Sequence, residues 1–189
     1  MVVSRRFFTQ YIRNIRTIGA VAPSSRFLAQ KMVQPIDFSA AKLIVQFGPG
    51  TGSFTDVLLH ERHKNTSLVL IEFNTTFYET LVRQYGHEKN VYVYHGTAED
   101  VDGILRQFGL AAKVDYIVSG LPFASLPIKQ SQAILQRAQA VLKPEGKFIT
   151  FQYTLLKKGF LAAYFDEITV SREWRNIPPA YVLTCRMLE

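Results

Sequence analysis

Phe47-Gly48-Pro49-Gly50-Thr51-Gly52 sets three glycines at alternate positions directly after a short apolar run. Glycines spaced this way let the backbone turn tightly and approach a ligand closely. A helix opening straight afterwards offers free N–H groups and the positive end of its dipole. Such a loop suits a phosphate or a carboxylate. Twenty residues beyond Gly52, at the end of the next apolar run, stands Glu72. An acid there is placed to hold the two hydroxyls of a ribose. Loop and acid together point to a nucleoside ligand. Two common ones are disfavoured. G-P-G-T-G lacks the G-x-G-x-x-G spacing of a nicotinamide site, and Ser53-Phe54 does not supply the Lys-then-Ser/Thr of a P-loop.

A second stretch, "IVSGLPFASLP" over 117–127, combines two prolines, a glycine and an aromatic, with no acid, base or cysteine. A loop of this kind shapes a pocket and does no acid–base chemistry of its own. The histidines add little. His60 and His63, three apart on an expected helix, lack convincing further metal ligands, so no metal is expected; His95 receives no role.

The elements that must position these residues alternate. Strands are expected at 42–47, 67–72, 91–96, 114–120 and 147–153, as short apolar, β-branched runs. Helices are expected between them, at 52–62, 74–85, 99–109 and 128–143, the last closed by a turn at Pro144-Glu145-Gly146. Two further strands, "EITVSREW" and "AYVLTCRM", flank "RNIPP" and read as an antiparallel end. Alternating β and α units imply a mostly parallel sheet covered by helices on both faces. One domain over 36–189 is expected, with residues 1–35 as a helical appendage.

That appendage carries much of the basic charge. The chain has 189 residues, a net charge of +7 and a pI near 9.6, which favours anionic partners. Over 4–18, Phe7, Phe8, Tyr11, Ile12, Ile15 and Ile18 fall on one helical arc, and Arg5, Arg6, Arg13 and Arg16 on the opposite one. A basic amphipathic helix with aromatics on its apolar face is the pattern of an interfacial membrane binder; a helix docked on its own domain is the alternative. A second helix is expected near Ser24 to Val33, with Pro23 and Ser24 as its start and cap. No signal peptide or transmembrane run is read. Cys185 is the only cysteine, which fits a reducing compartment.

Gly48 to Gly52 resembles motif I of the class I S-adenosylmethionine (SAM) methyltransferases, whose fold is a Rossmann-like, seven-stranded sheet. The resemblance covers about residues 42–153. It implies SAM held by Phe47, Gly48, Pro49, Gly50, Thr51 and Gly52, with Glu72 and Phe73 at the ribose. "GTAED" sits where these enzymes hold adenine, implying contacts from Thr97, Ala98 and Glu99. "VLKPEGKFI" resembles the turn before their fifth strand.

The loop after strand four faces substrate in that superfamily. Adenine N6-methyltransferases, including the rRNA dimethylases, carry an Asn or Asp, then a proline and an aromatic. Here Ser119-Gly120-Leu121-Pro122-Phe123 keeps "LPF" but lacks the amide, and a serine cannot reproduce a carboxamide's two-point geometry. "GAVAPSSRFLAQKM", "SGLPFASLP" and "NIPPAYV" instead resemble the bacterial phospholipid N-methyltransferases. That implies methylation of phosphatidylethanolamine and its methylated forms, towards phosphatidylcholine. The enzyme would be a monomer, peripheral on the cytoplasmic face of an anionic membrane, without a nucleic-acid partner. Ser119 to Phe123 would form a headgroup slot. Phe123 would face the cationic headgroup. Tyr11 or Tyr153 would orient or relay the amine proton. Ser24 and Ser25 would meet the SAM carboxylate or a lipid phosphate, or simply cap a helix. The competing readings are an RNA adenine N6-methyltransferase and a binding protein that has lost catalysis.

Overall fold

The computed structural model describes residues 25–110, 113–156 and 158–188. The amphipathic segment 4–18, with Tyr11, and also Ser24 lie outside the described residues.

Seven strands form one sheet in the order β3-β2-β1-β4-β5-β7-β6. They are β1 (Leu43–Phe47), β2 (Ser67–Glu72), β3 (Val91–His95), β4 (Val114–Ser119), β5 (Leu142–Gln152), β6 (Glu167–Glu173) and β7 (Ala180–Arg186). All neighbours are parallel except β7, which runs antiparallel to both β5 and β6. The expected Rossmann-like sheet with an antiparallel end is therefore observed. Strand β1 is buried at all five positions, as its unbroken apolar run requires of a central parallel strand. The order reverses between β1 and β4, and ligands of open α/β sheets bind outside the carboxyl ends of strands at such a switch point.

Helices α1 (Arg26–Val33), α2 (Ser53–Glu61) and α3 (Thr75–Tyr85) share one apolar layer with Ile44, Leu68 and Ile149. On the opposite face, α4 (Val101–Gln107), α5 (Ile128–Val141) and α6 (Lys158–Leu161) pack over Val45, Phe47 and Phe148. Each fully buried side chain of this kind is worth about 1.5–3 kcal/mol.

Several boundaries differ from expectation. Ser25, not Ser24, caps α1: its Oγ accepts from the Leu28 N–H at 3.2 Å. Leu28, Ala29 and Met32 of that helix are fully buried, so residues 26–33 belong to the core. Helix α5 ends at Val141, and β5 begins at once. Leu142 pairs with Val114, pairing resumes at Lys147 with Tyr116, and Pro144-Glu145-Gly146 bulges between them. The helix expected over 99–109 is a 3₁₀ turn, Ala98–Asp100, followed by α4. His63 lies beyond the end of α2, so it does not share a helix face with His60.

Candidate active site

Glycines 48, 50 and 52 all adopt positive φ, the backbone that the spacing implied. At Gly52 the need is twofold. Its φ is 89°, and a Cβ there would lie 2.3 Å from the Tyr85 hydroxyl. That hydroxyl is fixed, donating to Asp56 Oδ1 at 2.6 Å. Burial and the Asp56 carboxylate push the Tyr85 pKa up, so it stays a neutral donor.

Glu72 ends β2, 1% exposed. Its Oε2 accepts from the Gly50 N–H at 3.0 Å and its Oε1 from the Asn74 N–H at 2.8 Å. Desolvation raises its pKa; the hydrogen bonds from Asn74, Gly50 and Phe73 oppose that rise. A carboxylate offers about four lone-pair sites. Three are engaged by backbone N–H groups, which leaves one for a ribose hydroxyl.

A narrow cleft opens at this edge. Gly48, Glu72, Phe73, Thr97 and Ala98 line it, bringing together expected cofactor residues from three loops. Thr97 Oγ1 accepts from the Glu99 N–H at 3.2 Å and caps the 3₁₀ turn; the Glu99 side chain is not part of the lining. Leu121, Leu126, Gln130 and Ile134 close the other wall. Leu126 falls in the quoted loop; Gln130 and Ile134 were missed by sequence reasoning. Their signal was the start of α5 directly after the substrate loop.

The two loops interlock. The Gly120 N–H donates to the Phe47 carbonyl at 2.8 Å, and a Cβ on Gly120 would meet the Gly48 carbonyl oxygen at 2.5 Å. Only glycine permits that approach. Ser119 is fully buried, its Oγ accepting from the Leu121 N–H at 3.3 Å and its carbonyl from Thr150 Oγ1 at 3.3 Å. It shapes the turn. Phe123 departs from expectation: it is 2% exposed and packs edge-on against Phe148 at 6.0 Å. The following turn swings its ring into the core, so the cleft wall here is Leu121 and not an aromatic face. Pro122 is half-buried beside it, at the start of that turn.

Tyr153 follows β5 and stands half-exposed against Phe151, their ring centroids 5.7 Å apart. Burial of the phenol raises its pKa, opposed by a hydrogen bond with the Asn176 side chain. Asn176, 3% exposed, also accepts from the Ser25 N–H at 3.2 Å and donates to the Pro178 carbonyl at 2.7 Å. It joins the start of α1, the end of β5 and the β6–β7 turn. Gln152, buried nearby in β5, leaves its Nε2 without a partner among the described residues. Asn176 opens the "NIPPAYV" segment, which signalled the region but not this role; Gln152 belongs to no motif.

The decisive comparison is with the methyltransferase domain family, which matches residues 44–146. The chain belongs to the class I SAM-dependent methyltransferases. Its cofactor is S-adenosyl-L-methionine, and the buried Glu72 carboxylate beside the glycine loop is fitted to that nucleoside. This methyltransferase is similar along nearly its whole length to a protein named ornithine lipid N-methyltransferase, from Singulisphaera acidiphila. The two are 31% identical over 182 residues, 95% of this chain and 94% of that protein. Ribosomal RNA small subunit methyltransferase A of Coxiella burnetii is 33% identical, but over 76 residues only, 40% of this chain and 28% of its own. Among solved structures, human methyltransferase-like protein 13 in complex with SAH shares the fold. Its TM-score is 0.60 at 20% identity, with 86% of this chain and 79% of that one covered.

Proposed function

We propose that this methyltransferase is a lipid N-methyltransferase, acting on the amine of a membrane aminolipid headgroup at the cytoplasmic surface of an anionic membrane. The end-to-end similarity to the ornithine lipid enzyme carries this reading. The substrate loop agrees with it: after β4 it has no carboxamide to grip a base, and Ser119 is spent inside the turn. Phosphatidylethanolamine and its methylated forms are the acceptors first expected; ornithine lipid shares the primary-amine chemistry.

SAM supplies an electrophilic methyl on a sulfonium. The chain's part is placement. Gly48 to Gly52 and Glu72 hold the nucleoside, and in-line alignment of this kind can supply several kcal/mol of the barrier. Leu121 and Leu126 keep the wall opposite apolar. The attacking amine must be neutral. Tyr153, a neutral phenol at the end of β5, is assigned to orienting the headgroup by hydrogen bonding, and the departing proton goes to water or the lipid phosphate.

The test offers purified protein and methyl-labelled SAM to phosphatidylethanolamine vesicles, ornithine lipid vesicles and total RNA separately. Label in either lipid supports the reading, and the preferred lipid names the acceptor. Label in RNA alone would make the chain a nucleic-acid enzyme.

A further inference from the structure

Two turns project from the carboxyl edge of the sheet beside the cleft, and both are tipped with apolar side chains. After β5 come Tyr153, Leu155 and Leu156; between β6 and β7 come Trp174 and Ile177. Leu156 is 89% exposed, Ile177 88% and Trp174 65%. Gln152 pairs with Tyr181 and Glu173 with Ala180, so the turns leave adjacent strands at the same end. The Tyr153–Asn176 hydrogen bond ties them together. Aliphatic tips this exposed, grouped on one edge, mark an interaction surface.

The surrounding charge selects the partner. The first turn is followed by Lys158 and carries no acid; the second is flanked by Arg172 and carries Arg175. Its one acid, Glu173, is buried and already paired with Arg175 at 2.9 Å. The Arg172 guanidinium lies over the Trp174 ring at 3.5 Å, so charge and aromatic face outward together. Apolar tips set among Lys158, Arg172 and Arg175, with Trp and Tyr at the boundary, match the layering of an anionic lipid surface. Leu156 and Ile177, the two most exposed tips, offer bases no stacking face, the Trp174 ring is already covered by Arg172, and a second copy would set like charge against like.

We propose that these two turns insert into an anionic bilayer and hold the cleft mouth at the headgroup layer. The inference rests on the lipid reading above for its purpose, but it can be measured apart from it.

Trp174 is the chain's single tryptophan, so its fluorescence reports this surface alone. The full chain is titrated with phosphatidylcholine–phosphatidylglycerol vesicles, with and without bromine-labelled acyl chains, and binding is followed in parallel by flotation. The expected result is a blue shift and quenching by bromolipid. Leu156→Glu/Ile177→Glu should lower vesicle partitioning by about tenfold or more. SAM affinity and methylation of a water-soluble short-chain aminolipid should be unchanged in that variant. Unquenched Trp174 on vesicle-bound protein would overturn the proposal, as would quenching by RNA and not by lipid. Quenching without methylation of any lipid would leave the docking surface standing and overturn the proposed function. Methylation of short-chain lipid without quenching would do the reverse.

Discussion

At the scale of single residues, Glu72 and Gly120 carry the sharpest consequences. The buried Glu72 carboxyl has a raised pKa, so the folded protein holds a proton where the unfolded chain has lost it. Without cofactor, stability should therefore rise as pH falls from that raised pKa towards the ordinary 4.5. SAM affinity should run the other way, weakening as the carboxylate that receives the ribose is protonated. Calorimetric titration across acid pH checks this; affinity that stays flat into the ordinary carboxylate range would contradict it. Glu72→Ala should weaken SAM binding by about tenfold or more, as expected for lost hydrogen bonds to a charged acceptor. Gly120→Ala forces a Cβ onto the Gly48 carbonyl, which backbone cannot yield cheaply, at about 1–3 kcal/mol. Melting temperature should fall, and kcat should fall by more than SAM affinity, because the substrate loop is the part displaced. Glycine spacing and the acid at a strand end made the cofactor side legible in sequence. The substrate side was less so. Nothing in "LPFASLP" says which way an aromatic turns, and the packing of Phe123 on Phe148 is a tertiary outcome.

At the scale of elements, the β6–β7 turn is held by Glu173. Arg175 keeps its carboxyl down at about 2. The stabilisation this pair gives is present above the ordinary glutamate value of 4.5 and is lost as pH falls from there towards about 2. Amide protection factors over 173–176 should fall through that window, and Glu173→Gln should flatten the dependence. The alternation of strands and helices was legible because buried parallel strands need apolar runs. The fusion of α5 into β5 was not: Pro144 and Gly146 read as a turn, yet Leu142 already pairs with Val114 ahead of them. Nor was α6, whose four residues are too few to show a period.

At the scale of the whole molecule, the proposed docking of an apolar-tipped edge on a chain of charge +7 predicts a preference for anionic over neutral membranes. Vesicle binding should weaken as salt rises. If the basic segment 4–18 adds to that attraction, Phe7→Glu or Arg13→Glu should weaken binding to anionic vesicles and leave SAM affinity intact; unchanged flotation would remove that segment from membrane binding. Among the described residues no helix is long and apolar enough to cross a membrane.

The most direct measurement is mass spectrometry of lipids recovered after incubating the protein and SAM with one vesicle population. The vesicles contain phosphatidylethanolamine, ornithine lipid and an amine-free anionic lipid together, and total RNA is present in the same tube. N-methylated headgroups, with RNA unmodified, are the expected result. Unaltered aminolipids beside methylated adenine would contradict the assignment of this cleft to a lipid amine.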